Sequence, residues 1–413
     1  MKIKNIFLAL LTVALVFGCK DDDKNTNEFS DLEVEEHKQN LEESGLAVMD
    51  QLEPMADMEA VHVTDHFMGL METTFDGGED VASVLQPVAQ LKEGADAAFN
   101  LKSTTEGPET LAQGFNENSG IYTFDVSTKS WNKEESNEEL TFHFPTEGSN
   151  ENNATLSFTN FSYIDNPNEE MSAEFPELLQ SLDYALSVDN QEMVSVELRG
   201  SYEDNGFPSS LSESMTLQDY GVKTTFNRSD SEASYDQSFT YQNEDILSSS
   251  FTMGGSFDYS TLSGIEDEDV PIEEQQVVTD ANVEITAGNI KFEGLADWAA
   301  IQEEMQDAMS DVDDSEQGES NFMELMVDLL NENVNLFVRY ADNNKIIAKS
   351  EFYIVEEEDD DYTDYTDMLD MRMVFEDGSA IDNSFFGNGF GDFIDRANQL
   401  VNQAEENYDM NIE

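Results

Sequence analysis

The sequence predicts an α+β protein dominated by one large, curved antiparallel β-sheet of about a dozen strands in meander order, with helices packed on one face. Three observations predict it. From Gly120 onward, short runs alternate apolar and polar residues, the period-two signature of half-buried strands. Clusters of Asn, Asp, Ser and Gly separate most of these runs, as turns between sequential antiparallel strands require. Apolar stripes of helical period stand before, within and after the strand series, which places helices against the sheet rather than in a separate body. With 38% hydrophobic and 10% aromatic residues, the chain has ample material for a core.

In chain order, Leu41, Gly45, Val48, Leu52 and Met55 recur at spacings of four and three. Val61, Phe67, Met68 and Met71 extend that face after a break at Pro54. Asp76-Gly77-Gly78 ends this arm. Residues 80–91 read as a further short helix interrupted at Pro87, followed by a polar link to Asn118. Strands follow at Tyr122-Phe124-Val126, Leu140-Phe142-Phe144 and Leu156-Phe158, with Phe161 and Tyr163 shifted by one as a bulge would shift them. Ser172 is read as the cap of an amphipathic helix carrying Phe175, Leu178, Leu179, Leu182 and Leu186, with Pro176 in its first turn.

Alternation resumes around Val196, Met215, Val222, Phe239, Phe251, Phe257, Val283 and Ile290. Two helices through Trp298 to Met305 and Phe322 to Leu329 come next. Val334 to Tyr340 pairs with Ile346 to Ile354 across Asp342-Asn343-Asn344, a last strand carries Met371 to Phe375, and Phe393 to Ala404 closes the chain as a helix. The domain reading is a signal segment at 1–18, an acidic tether at 19–36, a helical arm at 37–118 and a sheet body at 119–413, with a subdivision near 275 as the alternative to one sheet.

The first thirty residues carry the most specific signal. Lys2 and Lys4, an apolar run from Ile6 to Phe17 and a small residue before Cys19 form the three regions of a secretory signal, and the run is too short to span a bilayer. Cys19 is the sole cysteine of 413 residues, so nothing within the chain can pair with it in an oxidising compartment. Val16-Phe17-Gly18-Cys19 resembles the lipobox of bacterial lipoproteins, which implies cleavage before Cys19 and its acylation. Lys20 followed by Asp21, Asp22 and Asp23 resembles the surface-export signal of Bacteroidota lipoproteins. Together they imply a lipid-anchored protein of the outer membrane that faces the medium.

Charge sets further bounds. Lys and Arg total 18 against 91 Asp and Glu, and loss of Lys2 and Lys4 with the signal takes the formal charge from −73 to −75. Such a field repels phosphate backbones, which excludes nucleic acid as a partner. Self-repulsion of this size is screened within about 8 Å at 0.15 M salt and about 3 Å at 1 M, so a salty medium or abundant divalent cations suit the chain.

Motifs for chemistry are sparse. Glu59, His62 and His66 would share a helix face and are weak candidates for a metal, although the zinc-protease pattern, which needs Glu directly after the first histidine, is missing. Gly387-Asn388-Gly389-Phe390-Gly391 lacks the spacing of a phosphate loop and reads as a joint. No G-x-S-x-G elbow occurs. The acidic runs 266–269, 311–316 and 356–361 lack the oxygen spacing of an EF-hand and are expected to attract only diffuse Ca²⁺ or other cations, with no dedicated cofactor.

The function expected is therefore non-catalytic binding of an unknown protein partner, or a structural role, at the envelope. The order of elements is similar in outline to the half-barrel carriers of the LolA and LppX kind. That similarity implies an alternative, carriage or sensing of an apolar ligand, with the groove expected between Phe67, Met68 and Met71 and the strands bearing Phe251, Phe257 and Tyr259. An unrecognised hydrolase is the third class.

Overall fold

The computed structural model describes residues 28–71, 111–136, 139–168, 172, 176–258, 278–309, 316–357, 366–381 and 391–408. Among them the chain forms helices α1 (Val34–Leu52), α2 (Glu59–Met71) and α3 (Leu111–Asn118), with a 3₁₀ turn at Glu53–Asp57. Strands β1 (Gly120–Asp125), β2 (Ser130–Glu134), β3 (Leu140–Phe144), β4 (Ala154–Asp165), β5 (Glu177–Val188), β6 (Gln191–Tyr202), β7 (Pro208–Leu217) and β8 (Tyr220–Arg228) follow. Then come β9 (Glu232–Tyr241), β10 (Glu244–Gly255), β11 (Val278–Ala287), β12 (Ile290–Ala296), α4 (Trp298–Met309), α5 (Glu316–Asn333), β13 (Val334–Tyr340), β14 (Ile346–Glu357), β15 (Thr366–Val374), β16 (Ala380–Ile381) and α6 (Gly391–Tyr408).

The strands form one open sheet of sixteen, in the order β16 down to β3, then β1 and β2. The fold class expected from the sequence holds, with more strands than the expected dozen and with one parallel pair, β1 against β3, in an otherwise antiparallel ladder. Two-residue turns whose central residues are both left-handed, Asp189-Asn190 and Gln242-Asn243, join β5 to β6 and β9 to β10, the geometry that matches strand twist. The bulge expected before Phe161 is present: the β4–β5 register shifts between Thr159 and Ser162, and Asn160 takes a φ of 53°. Pro54 falls in the 3₁₀ turn that separates α1 from α2, as its missing N–H requires.

One expectation is overturned. Residues 177–188 are not a helix but strand β5, bonded on one edge to β4 and on the other to β6. Leu178, Leu182 and Leu186 are spaced by four, which satisfies a strand's period of two as well as a helix's. Hydrogen-bonding partners on both edges decided between them. Helix α3 and strand β2, whose Trp131 is buried, were not anticipated, and α1 starts at Val34, inside the expected tether.

By contact density the chain divides into two compact units. The first comprises residues 1–56, 228–238 and 245–413, and the second residues 57–227 and 239–244. In the second unit, α2 and α3 cover an aromatic core built from Phe67, Phe115, Tyr122, Trp131, Phe142 and Phe144. Its strand register makes the two sheet faces distinct. Phe158, Tyr184, Val196, Met215 and Val222 form an apolar row across β4 to β8, whereas Thr141, Ser157, Ala185, Ser195 and Thr216 form a small, mostly hydroxyl row on the opposite face.

In the first unit, α1 packs Val34 and Leu41 on Ile290, Val338, Tyr340 and Phe375. Helices α4 and α5 pack Trp298, Ile301, Met326 and Leu329 on Val334, Leu336 and Phe352. Val334, Leu336, Val338 and Tyr340 alternate along β13, so these helices share one sheet face. Helix α6 contacts α1, where Gly45 leaves room for the Phe393 ring: a Cβ at Gly45 would stand 2.8 Å from Phe393 Cδ2. Arg396 bridges to Asp50 at 3.2 Å and to Glu53 at 2.7 Å.

Candidate functional site: a polar cleft beside the first helix

In the first unit, a solvent-facing cleft of about 390 Å³ lies where the start of α1 meets the turns β11–β12 and β13–β14. Three local features build it. Residues Asp342-Asn343-Asn344 form the expected hairpin turn, with Asn344 in the left-handed region (φ 60°) and the Asn343 side chain accepting from Lys345 N at 2.9 Å. Gly288, at φ +57°, turns β11 into β12 directly under the helix, and a Cβ there would stand 2.8 Å from Ser44 Oγ. Ser44 in turn donates to Ala287 O (3.2 Å) and accepts from Asn289 N (3.2 Å), tying helix to turn.

Tyr340, Asn40, Asn289, Ser30, Asp31 and Lys345 are among the residues lining the cleft. Its inner wall is a hydrogen-bonded network: Asn40 Nδ2 donates to the Tyr340 hydroxyl at 2.8 Å, and that hydroxyl donates to His37 Nδ1 at 2.9 Å, the assignment in which each group is used once. His37 stacks on Phe375 with ring centroids 6.0 Å apart. Burial pushes the His37 imidazole below the ordinary histidine range, with Glu36 acting in the opposite sense. Burial also raises Tyr340, against the Asn40 hydrogen bond, which lowers it. Both groups are therefore neutral near pH 7, and the network joins helix to sheet. The outer wall presents carboxylate, ammonium and amide groups, a surface suited to hydrogen-bonding partners.

The depressed histidine has a thermodynamic consequence. The unfolded chain takes up the proton at the ordinary histidine pKa of about 6.5 while the folded chain resists it, so the contribution is complete above that value and is lost as pH falls toward the folded pKa. Thermal unfolding between pH 8 and pH 5 is expected to show a larger loss of midpoint for the wild type than for His37→Gln. Parallel pH profiles would show that His37 does not carry this dependence.

The sequence-derived candidates fall elsewhere. Phe67 and Met71 are each 3% exposed in the core of the second unit, so their side chains are committed to packing, while Met68 is 53% exposed. Phe251 is half-buried and Phe257 buried in the first unit, where the Phe257 carbonyl accepts from Arg228 Nη1 at 2.6 Å; Tyr259 lies outside the described residues. His62 pairs with Asp57 at 2.9 Å rather than converging with His66 and Glu59. Among the described residues no group of three or more His, Cys, Asp or Glu is placed to hold a metal ion.

Cys19, Lys20, Asp21, Asp22, Asp23, the helix read at 80–91, the joint at 387–390 and the boundary near 275 also lie outside the described residues. The cleft itself was missed by sequence reasoning. Its available signals were the Asp-Asn-Asn turn and the pair His37 and Asn40, three apart on one helix face.

No protein-family model, no curated protein and no solved structure matches this chain. Among the described residues, no helix is long and apolar enough to cross a membrane. What the fold and cleft define is a class: an acidic, open-sheet α+β protein with a hydrogen-bonding cleft beside its first helix.

Proposed function

We propose that this chain is a non-catalytic lipoprotein, anchored through Cys19 in the outer membrane with its body facing the medium, and that it binds a partner or serves the envelope structurally. The observation that carries the reading is Gly18-Cys19-Lys20-Asp21-Asp22-Asp23: the sole cysteine, a small residue before it, and a lysine with three acids after it. A body of this charge remains soluble in a salty medium, because like charges oppose association while salt screens repulsion within the chain. Binding, rather than chemistry, is supported by the cleft wall, where His37 and Tyr340 are engaged with each other and Asn40.

Metabolic labelling with a fatty-acid analogue tests the anchor. Wild type is expected to take up label and Cys19→Ser to lose it, and label retained by Cys19→Ser would reject the reading. Alanine at Asp21, Asp22 and Asp23 is expected to leave the acyl chains in place and to protect the protein from protease added to intact cells.

A further inference from the structure

Part of the segment read as a tether is built into the sheet. Ile346 N donates to Glu28 O at 3.0 Å and Ser30 N donates to Ile346 O at 2.9 Å, so Phe29 makes a parallel bridge to the first residue of β14. The space is open to it because β15 has already ended on that edge: its last pair with β14 is Val374 with Lys349. Ser30 is buried, and Asp31 pairs with Lys345 at 2.9 Å. Further pins follow along the chain. A reciprocal cap between Glu33 and Glu36 starts α1, His37 and Asn40 reach Tyr340, and Ser44 reaches Ala287 and Asn289.

We propose that residues 28–31 act as a clamp, a strand added to the chain's own sheet, which keeps the leash from the acylated Cys19 short and so presents the β13–β14 turn of the first unit to the bilayer surface. The proposal rests on the lipoprotein reading. Eight residues lie between Cys19 and Glu28, so the leash reaches about 30 Å at full extension. Strand β13 runs seven residues away from the turn, so its far end, beside Glu332, lies about 20 Å further along the sheet. With the clamp in place the two ends of β13 are held at unequal distances from the membrane. Were the clamp alone to peel away as far as Glu33, the leash would lengthen to about 50 Å, more than the length of β13, and would no longer hold the turn nearer the membrane than the far end.

The test uses the full-length acylated protein on phosphatidylcholine vesicles that carry an acceptor dye on the lipid headgroup. Acylation blocks the native cysteine, so a donor dye can be placed on Asn343→Cys in the turn or on Glu332→Cys at the far end, both exposed positions. Energy transfer is expected to be several-fold stronger from 343 than from 332. Ser30→Pro, which removes the donating N–H, is expected to erase most of that difference, and Asp31→Asn, a milder change, to reduce it. Equal transfer from the two positions, or a difference that survives Ser30→Pro, would overturn the proposal.

Hydrogen exchange at the Ile346 amide separates the clamp from the anchor. In non-acylated Cys19→Ser protein that amide is expected to be protected and to lose protection in Ser30→Pro; a fast-exchanging Ile346 in the parent overturns the clamp even if labelling confirms the lipid. A protected Ile346 in a wild type that takes up no fatty acid overturns the anchor, and the membrane orientation with it.

Discussion

Truncating Phe67 to alanine is expected to lower the stability of the second unit by about 3–5 kcal/mol, the range for removing a fully buried aromatic ring. The ring lies 4.7 Å from Phe144, 5.5 Å from Phe142 and 6.2 Å from Trp131, centroid to centroid, with edge-on geometry to the last two. The cavity left would be walled by rings held on two strands, Phe142 and Phe144 on β3 and Trp131 on β2, which cannot all move inward. Met68→Ala, one residue away on the exposed side of α2, is expected to cost less than about 0.5 kcal/mol. Urea titrations followed by tryptophan fluorescence measure both, since Trp131 belongs to this core. Similar costs for the two substitutions would mean that Phe67 is not packed as described and is available to a ligand.

The second large effect concerns the ion pair inside the first unit. Arg339 is fully buried and its Nε donates to Glu293 Oε2 at 2.6 Å across β12 and β13. Its guanidinium also stands 4.4 Å over the Phe337 ring, and Nη1 donates to the Asn344 carbonyl in the turn beside the cleft. Arg339→Met strands a buried carboxylate, at an expected cost of about 3–5 kcal/mol, because water cannot replace the lost partner. Adding Glu293→Leu removes that carboxylate and is expected to recover most of the loss. A double variant no more stable than Arg339→Met would show that the cost lies in packing rather than in the uncompensated charge. A cost below about 1 kcal/mol for the single change would indicate that the pair is hydrated, as exposed pairs are.

These two expectations sit on different kinds of legibility. Phe67 could be read as one face of an amphipathic helix from its spacing, yet not which rings it would meet, because Trp131 lies on a five-residue strand with little alternation of its own. Arg339 and Glu293 are 46 residues apart, and only the β12–β13 register brings their strands side by side. Period-two runs such as Leu140-Phe142-Phe144 or Val334-Leu336-Val338-Tyr340 were legible because alternation is a local property of a half-buried strand. The β13–β14 turn was legible for a similar reason, since Asn344 tolerates the left-handed backbone that the turn needs.

By itself the sequence determined the sheet-dominated class, the break at Pro54, the bulge before Phe161 and the charge, all properties of composition or of neighbours along the chain. Only the tertiary structure decided that residues 177–188 are a strand, since Leu178, Leu182 and Leu186 fit either period and the ladders from β4 and β6 supplied the difference. It alone decided that β1 lies parallel to β3, and that His37 meets a tyrosine 303 residues away. Contacts of that separation depend on where whole elements pack, and no local pattern encodes the geometry of a surface that exists only once the strands are in register.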